Sequence, residues 1–279
     1  MAIPPTTPET PTTLLEAVLR RDRLVVIAAI LLVAGLAWGY TIYLAWDSGN
    51  LGNGSSVGIS MAMPRMTPWG PADWGAMFVM WAVMMAAMMV PSAAPMILLF
   101  ATVNRRRREQ QKPYVSTLVF LAGYVVIWVG FAGGATVANW ALHTHGLLSS
   151  MAGSTLDSNG GSILGGALLL AAGVFQWSPL KYTCLSHCRT PMGFIMSDWR
   201  DGTGGALRMG LQHGVFCLGC CWVLMALLFV LGIMNLVWIA ALVAFVLLEK
   251  VAPKGQMLGR AAGLLLMAWG GLVVSGLWG

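Results

Sequence analysis

Residues 212–222 read Gln-His-Gly-Val-Phe-Cys-Leu-Gly-Cys-Cys-Trp, which sets His213, Cys217, Cys220 and Cys221 inside an otherwise apolar stretch. At about 100° per residue, these four side chains fall within an arc of roughly 100° on a helix, so one face presents an imidazole and three thiols. Thiolate sulfur and imidazole nitrogen suit soft and borderline ions, Cu(I) and Zn(II) among them. Polar groups at bilayer depth are costly unless they face protein, water or a partner. A stripe of this kind therefore predicts a functional site.

Cys184, His187 and Cys188 form a second compact group, and on a helix they share a face as well. The two groups lie in adjacent segments and together could close one metal site. The bland reading is that small apolar cysteines pack at helix interfaces. Methionine is the third signal, since ten of the 19 lie between Met61 and Met96. Met77, Met80, Met84 and Met88 fall within about 80° of arc, with Met85 and Met89 flanking them. A Met stripe on a buried helix is more often packing than a ligand ladder, because Met fills irregular apolar gaps. Met61, Met63 and Met66 stand in a polar stretch with no core to fill, and their thioethers suit Cu(I). His143 and His145 alternate at a helix end, a weak signal for Cu(II) or Zn(II).

Composition sets the class that must hold these residues. The chain is 58% hydrophobic and 9% charged, against about 25% charged in a typical soluble domain. The expectation is an all-α, polytopic transmembrane bundle, since a core of about 30 Å takes roughly 20 residues at ~1.5 Å each. Apolar stretches at 24–46, 74–101, 115–140, 161–178, 207–231, 234–249 and 257–278 predict seven spans. The first is too long for a signal-peptide core and is expected to remain as an anchor. Residues 1–23, rich in Pro and Thr, read as a flexible cytoplasmic tail, with 24–279 as a single transmembrane domain. With the N-terminus inside and the C-terminus outside, 15 of the 16 Lys and Arg residues face the cytoplasm and only Arg65 lies outside.

The net charge of +6 and the Arg105–Arg108 run do not imply nucleic acid, because the basic residues sit in short juxtamembrane loops without interleaved aromatics. They read as topology signals. Residues 179–206 are expected to form the main inside loop, and Glu249 with Lys250 an anchor or ion pair at the inner edge. Pro91 and Pro95 are able to kink the second span. Gly130 with Gly134, Gly161 with Gly165, and Gly259 with Gly263 repeat the spacing that lets membrane helices approach closely. Asp47, Asp73 and Asp157 are too scattered to form a carboxylate site.

Three strings also carry a family resemblance: Trp81 to Pro91, Pro179 to Pro191, and His213 to Trp222. From about Trp74 to Trp269 the chain resembles the predicted metal-binding integral membrane proteins that include membrane copper chaperones for tyrosinase-type copper oxidases. The resemblance implies a copper-binding protein of the bacterial cytoplasmic (inner) membrane that delivers copper to a copper enzyme.

Residues and resemblance together suggest a relay. Met61, Met63 and Met66 capture or present copper outside, and the Met77 to Met89 ladder carries it inward. His213, Cys217, Cys220 and Cys221 then hold it near mid-membrane, Cys217 being about 15 Å from the inner end of its span at ~1.5 Å per residue. The direction of movement is open, so a copper transporter is the first alternative. A thiol-disulfide enzyme is another, because Cys217-Leu-Gly-Cys220 is formally C-x-x-C. None of the five cysteines falls in an expected outside loop, however, and thiols facing the cytosol are normally kept reduced. A membrane metalloenzyme or haem protein is the last, with c-type haem disfavoured by the lack of C-x-x-C-H. An enzyme is thus less expected than a carrier.

Overall fold

The computed structural model describes residues 27–28, 31–32, 34–43, 46, 69–111, 115–147, 159–233 and 235–275. The expected tail at 1–23, the Met61, Met63 and Met66 cluster, Asp47 and Asp157 lie outside the described residues. Of the first expected span, residues 34–43 are helical.

Among the described residues every regular element is a helix. The elements that build the site are α1 (Pro71–Glu109), α2 (Thr117–Thr144), α3 (Asn159–Phe175), α4 (Pro179–Arg189) and α5 (Pro191–Asp198). They are followed by α6 (Gly202–Ala226), the one-turn α7 (Leu228–Leu231), α8 (Leu236–Val251) and α9 (Gly255–Val274). Local chemistry marks their ends. Ser116 caps α2 by accepting from the Leu118 amide, Ser178 caps α4 through Lys181 N, and Asn235 caps α8 through Val237 N and Trp238 N. α1 begins with Asp73 in its first turn and ends with Arg106, Arg107 and Arg108 in its last, which complements the helix dipole at both ends.

Among the described residues four helices are long and apolar enough to cross a membrane: Pro71–Glu109, Thr117–Thr144, Gly202–Leu231 and Gly255–Val274. The expected spans at 74–101, 115–140, 207–231 and 257–278 fall on them. The stretches at 161–178 and 234–249 are helical but shorter, 17 residues in α3 and 16 in α8. Ile163–Phe175 and Pro179–Arg189 meet at 63°, as a broken span or a re-entrant loop does. Large apolar side chains such as Leu118, Val237 and Leu265 are exposed on the outer faces of α2, α8 and α9. Surfaces of that kind fit a lipid-covered bundle.

The expected inside loop at 179–206 is instead largely helical, and α4 packs along α6. Lys181 and Leu185 are buried on α4, and a Cβ on Gly219 of α6 would come within 2.6 Å of Cys184 Sγ. Polar residues that read as a loop are here partnered inside the bundle, which removes the cost of burying them. α1 continues as one helix through Pro91 and Pro95.

The tightest crossing joins α2 to α6. A Cβ on Gly210 would run into the Phe120 carbonyl, and one on Gly123 would lie 2.9 Å from Leu211 N. Gly214 sits 2.8 Å from Ile127 Cγ1 by the same measure. α3 and α9 are packed through Gly173, Gly263 and Gly270 in a similar way. Of the spacing pairs singled out in the sequence, Gly263 serves as expected, but Gly130 and Gly134 have nothing within 4 Å. The close approach of α2 depends on Gly123, which directly precedes Tyr124. Gly210→Val should cost about 1–3 kcal/mol or more by overpacking, while Gly130→Ala should stay within about 0.5 kcal/mol. Thermal unfolding of the detergent-solubilised variants checks this, and equal melting temperatures would contradict the crossing.

Candidate metal centre

The close crossing of α2 and α6 brings Tyr124 onto Cys217, whose side chain is fully buried. Cys217 Sγ lies 3.2 Å from the Tyr124 hydroxyl, which donates to the Met89 carbonyl of α1 at 2.9 Å. Ser92 Oγ donates to the same carbonyl at 2.9 Å. From α8, Lys250 Nζ donates to Cys217 Sγ at 3.1 Å and to Ser92 Oγ at 2.8 Å. Tyr124 of α2 and Lys250 of α8 thus meet at the Cys217 sulfur of α6, and α1 partners both of them.

Other thiols gather around it. Cys217, Cys220 and Cys221 lie in one buried core, and Cys184 and Cys188 of α4 pack against it. The Cys220 and Cys221 thiols turn back to the Cys217 carbonyl, at 3.1 and 3.0 Å. Cys221 Sγ also lies 4.0 Å from Met89 Sδ. All five cysteines are free thiols. Among the described residues no three His, Cys, Asp or Glu side chains enclose the volume of an ion as they stand. The reason is visible in the hydrogen bonds, which point two of the sulfurs at backbone rather than at a common centre.

His213 is one helical turn from Cys217, buried among the rings of Phe120, Tyr124 and Phe194 with centroids 5.7 to 6.1 Å away. Its Nδ1 is buried and has no hydrogen-bond partner among the described residues. Such an orphaned nitrogen is unusual in a folded protein. Thiol, thioether and imidazole are donors of the softness that copper takes.

Other residues read from the sequence are placed elsewhere. His187 stacks on Phe216 at 4.1 Å, and its Nδ1 sits 2.8 Å from the Thr183 carbonyl, so it is held off the thiol group. Met77, Met80, Met84, Met85, Met88 and Met89 are all buried in the core. Of these, Met89 meets Cys221, and Met77 accepts from Asn139 Nδ2 at 3.1 Å. His143 is half-buried beside Trp69, with ring centroids 6.1 Å apart, and His145 is exposed at the end of α2.

Glu249 and Lys250, expected as an edge anchor or a pair, do not pair with each other. Glu249 gives both carboxylate oxygens to the fully buried Lys181, at 2.6 and 2.8 Å, and Gln176 Oε1 accepts from the same ammonium. Arg189 donates to the carbonyls of Glu249, Ala252 and Pro253 at the end of α8. Adjacent residues on a helix face different directions, so Glu249 fastens α4 while Lys250 reaches Cys217. Sequence reasoning missed Tyr124, Ser92 and Lys250 because none differs in type from an ordinary helix or edge residue.

The protein is thus an all-helical bundle, several of whose helices are apolar enough to span a bilayer, built around a buried thiol cluster. A family model described as PpoB2, copper chaperone, matches residues 78–273. The chain belongs to this copper chaperone family, which makes copper its cargo and a copper enzyme the kind of partner it suggests. No curated protein and no solved structure matches the chain.

The buried Lys181–Glu249 pair should behave as buried pairs do. Removing one partner, as Lys181→Met or Glu249→Gln, should cost about 3–5 kcal/mol, whereas the double change Lys181→Met with Glu249→Met should be far milder. Melting temperatures of the three variants check the coupling, and additive losses would contradict it.

Proposed function

We propose that this protein is a multi-pass protein of the bacterial cytoplasmic membrane that binds Cu(I) at the thiol cluster and passes it to a copper enzyme. The reading rests on one observation above all: three thiols, Cys217, Cys220 and Cys221, are buried together in the bundle, with the Met89 thioether 4.0 Å from Cys221 Sγ. Thiolate is the form that binds metal, and Cu(I) is the common biological ion that prefers sulfur.

In this reading Cys217 and a second thiol form the tight site. Met89 beside Cys221 offers a weaker thioether, through which the ion arrives or leaves without being released bare. Met77, Met80, Met84, Met85 and Met88 continue that sulfur line along α1, and Met61, Met63 and Met66 would serve as the outer capture point. His213 stands one turn along α6 from Cys217, as a reserve nitrogen ligand. Cys184 and His187 shape α4 against α6. The seven-span arrangement, with the N-terminus inside and the C-terminus outside, remains the topology that best explains the placement of the basic residues.

Purified protein challenged with Cu(I) and then desalted should retain the metal in a fixed ratio, and Cys217→Ala should lose it. Cys217→Ala that folds and still retains copper like the wild type would remove Cys217 from the site. A wild type that retains no copper would overturn the reading as a whole.

A further inference from the structure

Lys250 stands where a cation would be expected. Its ammonium contacts Cys217 Sγ at 3.1 Å and Ser92 Oγ at 2.8 Å, among Met89, Cys217 and Cys221, all of them buried. Glu249, its neighbour in the chain, has both oxygens on Lys181, so that pair is neutral by itself. Lys250 thus adds one positive charge to the thiol cluster, and its own hydrogen bonds go to a thiol and a hydroxyl rather than to a carboxylate.

We infer that Lys250 is a specificity-determining residue that makes the cluster prefer monovalent over divalent soft ions, a conclusion that rests on the Cu(I) reading above. The reason is charge balance in a medium of low dielectric. When Cu(I) binds two thiols, two S–H bonds break, two metal–sulfur bonds form and two protons leave to water or to the donor's ligands, with no electron transferred. The resulting centre carries −1, and the Lys250 ammonium brings it to zero. A divalent ion bound by the same two thiolates is already neutral, so the ammonium leaves the centre at +1. Uncompensated charge away from water is strongly disfavoured. Drawing in a third thiolate would restore neutrality, but Cys220 and Cys221 are tied to the Cys217 carbonyl.

The role assigned to Lys250 concerns charge, not softness, and two soft ions of unlike charge separate these. Wild-type protein should bind Ag(I) tightly and Cd(II) poorly, measured by competition against chelators of known affinity. Lys250→Met should reduce the Ag(I)-over-Cd(II) and Cu(I)-over-Zn(II) preferences by at least about tenfold, and Lys250→Arg should keep most of them. Ser92→Asp, which sets a carboxylate against the ammonium and leaves the lysine in place, should act in the same direction as Lys250→Met. Wild type that binds Cd(II) as well as Ag(I), or a folded Lys250→Met with unchanged ratios, would overturn the assignment of Lys250 while leaving copper binding intact. Wild type that binds none of these ions would instead overturn the copper reading itself. The wild-type comparison stands even if a variant fails to fold.

Discussion

Polar atoms held inside an apolar helical bundle must each find a partner, and in this protein that constraint converges on the Cys217 sulfur. Tyr124 and Lys250 reach it from α2 and α8, and the Cys220 and Cys221 thiols of the next turn of α6 bond the Cys217 carbonyl. Without Cys217 the ammonium would keep its hydrogen bond to Ser92 Oγ, and a charge held away from water with too few partners costs several kcal/mol. The same contacts are what assemble a sulfur-rich centre. The requirement that makes the fold stable is thus also the one that gathers the ligands.

Each wall of the centre is brought in by a different physical device. α2 comes close because Gly123 and Gly210 leave backbone against backbone. α4 is turned into the bundle by the bend after α3 and fastened by Lys181 to Glu249, with Arg189 on the end of α8. α1 supplies the Met89 carbonyl, to which Tyr124 and Ser92 both donate. The family of copper chaperones to which the chain belongs gives this arrangement its cargo.

Much of the fold was legible because hydropathy over some twenty residues is a strong signal, and the four longest helices fall where that signal placed them. The ligand stripe on α6 was legible for a similar reason, since helical period alone puts His213, Cys217 and Cys221 one above another. What could not be read was any residue whose meaning depends on a distant partner. Residues 179–189 look like a loop because they are polar, and only Glu249, 68 positions from Lys181, makes their burial possible. Lys250 looks like an edge anchor until its ammonium is seen on Cys217. Tyr124 is an unremarkable aromatic in an apolar span, and Gly123 belongs to no spaced pair. The paired Gly130 and Gly134 followed the expected motif yet face open space, which shows that spacing without a partner helix carries no information about packing.

X-ray absorption at the copper edge of the Cu(I)-loaded protein tests the central claim most directly, because it reads the atoms bound to the metal in the intact bundle. A reduced copper edge with a nearest shell of sulfur is the predicted result. A shell of only nitrogen and oxygen would contradict the assignment of the thiol cluster as the place where copper is held.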